Sequence, residues 1–272
     1  LPTPQQMVAH LDRFVRGQTR AKRDLALAFH DHYLGLAAAE RPELCGAHAR
    51  TRQHVLVLGP TGSGKTLLVR TLCDWLGVPV FFLSDTATTE TGYVGDDVDE
   101  PLKHLWRDAK GDVSRVHRGV VVLDEIDKIR IVRDHGRDVS GEGVQNGLLT
   151  LLDGRTVHLR DKQDALGTVD TSKLLFVCMG AFVELPKLVR QRRRGESALG
   201  FAESPAAREP RLSDDDAIAA AGTDDLVRYG LLPEFVGRFP NLTAVRALME
   251  NDLVALLRES EGSPLERERQ LW

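Results

Sequence analysis

The chain has 272 residues, with 36 Lys plus Arg against 40 Asp plus Glu, 42% hydrophobic residues and 28% charged ones. That balance excludes a disordered or fibrous chain, and a formal charge of -4 gives no global pull toward nucleic acid or an anionic membrane. No apolar run reaches the ~18 residues of a membrane span, and the cysteines Cys45, Cys73 and Cys178 lie far apart with no C-x-x-C, so neither a disulfide framework nor a zinc site is expected. The first residue is Leu1 rather than Met, as in a trimmed or processed chain. Thr3-Pro4-Gln5-Gln6 reads as a helix start, with a Thr N-cap, Pro at the first helical position and Gln closing a capping box. That helix is expected to reach about Arg16. After Gly17 a second, longer helix is expected over Gln18 to Ala39, from the spacing of Ala21, Leu25, Ala28, Phe29 and Leu36. Pro42 to Arg52 reads as a loop.

Short β-rich runs follow at His54 to Leu58, Val80 to Leu83, Val120 to Leu123 and Leu174 to Cys178, separated by helical patterns such as Lys65 to Leu76 and Gly143 to Leu152. Strands alternating with helices predict an α/β domain whose parallel sheet is covered on both faces. A fifth strand is expected at Asn241 to Val245, after a turn of helix at Pro233 to Arg238. Arg190, Arg192, Arg193 and Arg194 read as cations favouring a helix C-terminus rather than as a contact to substrate or nucleic acid. The polar stretch from Gly195 to Thr223 reads as a mobile surface loop, with Asp214, Asp215 and Asp216 capping the helix after it.

Gly59-Pro60-Thr61-Gly62-Ser63-Gly64-Lys65-Thr66 fits the pattern G-x-x-x-x-G-K-[ST] in full, directly after one β run and before a helical one. In that context the glycines turn backbone N-H groups toward nucleotide phosphates and the helix N-terminus adds its positive end. Lys65 neutralises outer phosphate oxygens, and the Thr66 hydroxyl meets Mg²⁺. Leu67 follows within the same first turn and is counted with the nucleotide site. Val120-Val121-Val122-Leu123-Asp124-Glu125 is a buried strand ending in two acids, where an open α/β sheet places its ligands. Asp124 is expected to hold the hydrated Mg²⁺ and Glu125 to act as the base for attacking water. The pair makes the chain a candidate ATPase with ATP and Mg²⁺ as its cofactors.

Taken with Gly92-Tyr93-Val94-Gly95, Asp124-Glu125-Ile126-Asp127-Lys128-Ile129, Arg137 to Gln145 and Pro233-Glu234-Phe235-Val236-Gly237-Arg238, the phosphate loop resembles, in order and spacing, the ClpX family of AAA+ protein unfoldases. The resemblance implies a P-loop NTPase fold of the AAA+ type, with a five-stranded, mainly parallel sheet sandwiched by helices. It further implies a large ATPase domain over 1–246 and the beginning of a helical small domain over 247–272. In such a family a homo-hexameric ring hydrolyses ATP and pulls unfolded or tagged protein through its pore into a ClpP-type peptidase. Tyr93 and Val94 match the pore loop that grips substrate, whereas without the resemblance Tyr93 reads as a core residue beside a turn. Arg137, Asp138, Val139 and Ser140 match part of a second pore loop. Arg238 matches the arginine finger, which reaches a neighbouring subunit's γ-phosphate. Leu199-Gly200-Phe201 is similar to the tripeptide that docks on the peptidase, or is a loop tucking two apolar side chains back. Phe14-Val15-Arg16-Gly17-Gln18 resembles the box near the adenine, where Val15 would pack on the ring.

Departures from the family pattern are also visible. Asp153 to Asp170 is short and holds only Arg160-Asp161-Lys162 where the family has an Arg-Lys-His tripeptide. The family's zinc-binding domain and its second sensor arginine lie outside this sequence, and so does most of the small domain that supports the hexamer. Two functions are therefore weighed: an ATP-driven unfoldase subunit in the cytoplasm, with no membrane, nucleic-acid or zinc partner, and a nucleotide-binding regulator that binds ATP without turning it over alone.

Overall fold

A computed structural model describes residues 1–40, 52–83, 99–131, 140–161, 164–198 and 212–259. Helix α1 (Pro4–Phe14) opens with the expected capping box, Thr3 accepting from the Gln6 amide and Gln6 from the Thr3 amide. It stops at Phe14 because Val15 turns to extended backbone and Gly17 and Gln18 take positive φ. α2 (Thr19–Glu40) follows.

The central sheet has the order β2-β3-β6-β1-β7, and its paired strands all run parallel: β1 (Val55–Leu58), β2 (Val80–Leu83), β3 (Val120–Leu123), β6 (Leu175–Gly180) and β7 (Asn241–Ala244). Its runs of Val and Leu are buried because both faces are covered. The two-residue period divides them cleanly. Val55, Val57, Val120, Val122, Leu175 and Val177 pack with Met7, Leu11, Leu25 and Phe29 from α1 and α2, and with Leu68 and Leu72 from α3 (Lys65–Leu76). Leu56, Leu58, Val121, Leu123, Phe176 and Cys178 face the other way. There they meet α4 (Glu100–Asp108), α6 (Ser140–Leu152), α7 (Leu185–Ala198), α8 (Asp214–Ala219), α9 (Thr223–Tyr229) and α10 (Pro233–Val236). Each such side chain, fully buried, contributes roughly 1.5–3 kcal/mol of transfer free energy.

Four features depart from the sequence expectation. A two-stranded antiparallel hairpin, β4 (Thr156–Asp161) with β5 (Asp164–Asp170), occupies the stretch marked only as short, and short α5 (Val113–Val116) precedes β3. The stretch 195–223 is not wholly a loop: α7 continues to Ala198, α8 begins at Asp214 on a Ser213 N-cap, and α9 begins at Thr223. The arginines of α7 lie within that helix rather than at its end, and two of them hold this region together. Arg190 pairs with Asp214 at 2.7 Å, and Arg192 grips Asp225 through Nε at 2.9 Å and Nη2 at 3.1 Å. A further helix, α11 (Glu250–Glu259), follows β7. Among the described residues no helix is long and apolar enough to cross a membrane.

Candidate nucleotide-binding and active site

The phosphate loop joins the C-terminal end of β1 to α3. Gly64 is the α3 N-cap at φ +91°, a conformation that costs a side-chain-bearing residue about 1–2 kcal/mol, and no side chain caps the helix. Gly62 also has positive φ, and a Cβ there would meet nothing within 4 Å. Among the described residues no side chain takes the N-H groups of the first turn of α3, the arrangement that receives an anion. Lys65 is 8% exposed, and its Nζ donates to the Gly59 and Pro60 carbonyls at 2.6 and 2.9 Å, which curls the cation over the loop. Burial pushes its pKa down, while Asp124 and Asp127 pull it back up. Ser63 closes the turn through its hydroxyl, 2.7 Å from the Pro60 carbonyl.

Asp124 stands at the end of β3. Its Oδ1 accepts from the Glu125 amide at 2.8 Å and its Oδ2 from the Thr66 hydroxyl at 3.3 Å. A hydroxyl and a carboxylate so placed are hard oxygen donors, the set that suits Mg²⁺, and the uncapped helix with its curled lysine suits a polyphosphate. The residues present fit both groups.

Glu125 sits at φ +59°, ψ +32°, which is uncommon for a residue with a side chain. Its Oε2 accepts from Lys128 Nζ at 2.9 Å. The next turn, Ile126–Ile129, carries Asp127, whose oxygens accept from the Ala181 and Phe182 amides at 3.1 and 3.3 Å. Gly180 ends β6 between these groups: its carbonyl accepts from the Gly59 amide at 3.1 Å, and a Cβ there would come within 2.5 Å of Asp127 Oδ1. Asp127 and Gly180 thus join the loops after β1, β3 and β6, a role that their neighbours in sequence do not disclose.

Lys65, Thr66 and Asp124 are brought together, Glu125 is next to Asp124 in the chain with its carboxylate paired to Lys128, and Arg238 is not with them. Arg238 follows α10, and its Nε lies 2.6 Å from Asp153 Oδ1. Three residues on, Asn241 opens β7 and donates to the Gln53 carbonyl, just ahead of β1. Arg238 therefore stands by the N-terminal end of β1, with the phosphate loop beyond the other end, a strand length of roughly 10 Å or more at ~3.3 Å per residue. Val15 is buried in the core on the α1 side, and the nearest neighbour of a Cβ added at Gly64 would be its Cγ1, at 3.9 Å. Leu67 is 43% exposed on α3. Tyr93, Val94, Arg137, Asp138, Val139, Leu199, Gly200 and Phe201 lie outside the described residues, and Ser140 is the first residue of α6.

A parallel α/β sheet with a phosphate loop after one strand and an acidic pair after another defines a P-loop nucleotide-binding protein. The AAA domain (Cdc48 subfamily) family model matches residues 50–242, and the chain belongs to that family. It is 38% identical over 284 residues to the ATP-dependent Clp protease ATP-binding subunit ClpX of Azotobacter vinelandii, a match covering 100% of this chain and 64% of that protein. To the ClpX of Treponema denticola it is 39% identical over 274 residues, with 97% and 64% covered. To that of Borrelia duttonii it is 38% identical over 272 residues, with 97% and 62% covered. The chain thus spans less than two thirds of the length of these curated relatives.

Proposed function

We propose that this chain is a subunit of an ATP-driven protein unfoldase of the cytoplasm. It binds ATP with Mg²⁺, hydrolyses it within a ring of like subunits, and draws unfolded or tagged polypeptide through the central pore toward a ClpP-type peptidase. The observation that carries this reading is the position of Arg238, at the far end of β1 from Lys65, Thr66 and Asp124. A lone chain cannot bring that arginine to its own phosphates, whereas a neighbour in a ring can supply it.

In this reading Lys65 and the α3 N-terminus hold the phosphates, and Thr66 and Asp124 hold Mg²⁺, which supplies charge neutralisation between phosphate oxygens. Glu125 accepts the proton of the attacking water once it swings off Lys128. Val15 lines the adenine side. Tyr93 and Val94, with Arg137, Asp138, Val139 and Ser140, grip substrate, and Leu199-Gly200-Phe201 docks the peptidase. Residues 1–246 form the ATPase domain and 247–272 the start of a helical second one.

The Glu125 to Lys128 ion pair at 2.9 Å favours a second reading, in which the chain binds ATP and does not turn it over alone. Mixing the two variants Glu125→Gln and Arg238→Ala separates the readings. Each is inactive alone on the unfoldase reading, and the mixture regains turnover because one supplies the arginine and the other the base. A mixture as inactive as its parts, with MgATP still bound, selects the regulator.

A further inference from the structure

Gln18 lies far from the phosphate loop in sequence and touches it in space. It is 5% exposed and holds a left-handed backbone at φ +55°, so the chain tolerates strain to aim this one side chain. Its Nε2 donates to the Ser63 carbonyl at 3.3 Å and to the Arg246 carbonyl at 2.8 Å, and its Oε1 accepts from the Arg246 amide at 2.9 Å. One amide thus clasps the phosphate loop to the segment that leaves β7. A second contact presses the same two pieces together: a Cβ at Gly59 would collide with the Val245 carbonyl, while the Val245 amide donates to Leu58 at 2.8 Å.

The connection continues outward. Arg246 lies against Gly17, where an added Cβ would come within 2.6 Å of Nη2, and its guanidinium pairs with Asp252 of α11 at 2.7 Å. Asp252 in turn accepts from the Met249 amide at 3.0 Å, and the Arg246 bond holds its carboxyl below the ordinary range. From Ser63 to α11 there is an unbroken path through Gln18, Arg246 and Asp252, and each link is a hydrogen bond or an ion pair.

We propose that Gln18 is a positioning residue that fixes the Ser63 peptide of the phosphate loop and transmits its displacement on nucleotide binding to α11. The proposal rests on the nucleotide-site reading above. When phosphates draw the loop N-H groups toward them, Ser63 shifts, the Gln18 amide follows, and the backbone of Arg246 moves with it. Loop and helix are then coupled in both directions.

The test uses the full chain with MgADP, read by calorimetry for affinity and by amide hydrogen exchange over 250–259 for the helix. Gln18→Asn suits the purpose, because Asn accepts left-handed backbone well and its amide is one methylene too short to span the clasp. The expected result is a melting temperature lowered by a few degrees, as the Arg246 amide and two carbonyls lose their buried partner, MgADP bound about 10-fold more weakly, and a nucleotide-dependent change in α11 exchange that is present in the parent and absent at saturating MgADP in the variant. Gln18→Met, which keeps length and loses the amide, should do the same. Arg246→Met keeps both backbone bonds to Gln18 and should bind MgADP like the parent while losing the α11 response. Parental affinity and a parental α11 response in both Gln18 variants would overturn this inference alone. Absence of Lys65-dependent MgADP binding in the parent would overturn the nucleotide-site reading as well.

Discussion

Thr66 and Asp124 come from consecutive layers of the chain, one in the first turn of α3 and the other at the tip of β3, and their side chains meet at 3.3 Å. The contact closes the gap between a phosphate loop and an acidic strand end, with Lys65 curled over the same loop at 2.6 Å from the Gly59 carbonyl. The first consequence is that Lys65→Ala removes the buried cation and leaves the glycine cradle intact. Affinity for MgATP should fall at least 10- to 100-fold, the ~1.5–3 kcal/mol of a charge-assisted hydrogen bond, with the melting temperature of the ligand-free protein nearly unchanged. Calorimetric titration measures it, and parental affinity in the variant would remove the loop from the nucleotide site.

Glu125 is held by Lys128 and must leave it to serve as a base. Glu125→Gln keeps the shape and cannot take a proton, so turnover should drop about 10²- to 10⁴-fold while MgATP binding persists. Lys128→Ala frees the carboxylate, and turnover should hold or rise within a few-fold. Parental turnover in Glu125→Gln would send the search for the base elsewhere.

Arg192 spans α7 and α9 to meet Asp225, whose side chain is 1% exposed. Arg192→Ala leaves that carboxylate buried without its cation, a change that typically costs about 3–5 kcal/mol. Urea unfolding of the variant should show a loss of that size, and Arg192→Ala with Asp225→Asn should recover part of it. A loss under about 1 kcal/mol would mark the pair as a surface contact.

The strands β1, β2 and β3, helix α3 and the phosphate loop were legible because each is written in neighbouring residues: an apolar run, a glycine pattern, a lysine. Arg192 was not, since its partner lies 33 positions away and a run of arginines looks the same whether solvated or paired. Gln18 was harder still. Its bonds reach residues 45 and 228 positions distant, and nothing in Gly17-Gln18 announces a left-handed backbone. The β4 and β5 hairpin mixes His, Arg, Thr and Gly into its alternation, which hides the period. The placement of Arg238 at the wrong end of β1 for its own site is a property of topology, visible once β7 is seen to pair with β1.

Two buried histidines oppose protonation and so favour unfolding in acid. Burial pushes His54 down to about 3 and His32 down to about 4, and the Arg52 and Arg238 guanidiniums oppose protonation of His54 further. The folded chain therefore binds fewer protons at these sites than the unfolded chain below about pH 6.5. Stability is full above that pH and falls as pH drops toward 4, by up to ~1.4 kcal/mol per pH unit for each histidine. Urea midpoints taken from pH 7 down to 4.5 should show this slope, and His54→Gln should flatten it. A slope unchanged in His54→Gln would assign the acid sensitivity to other groups.

On the proposed function, each site is completed by a neighbouring subunit and driven against polypeptide. ATP turnover per subunit, measured across a range of protein concentrations with and without an unfolded polypeptide, tests it most directly. Turnover per subunit should climb with concentration to a plateau, rise further with polypeptide, and lose the climb in Arg238→Ala. A rate per subunit that is constant with concentration, indifferent to polypeptide and insensitive to Arg238→Ala would contradict it.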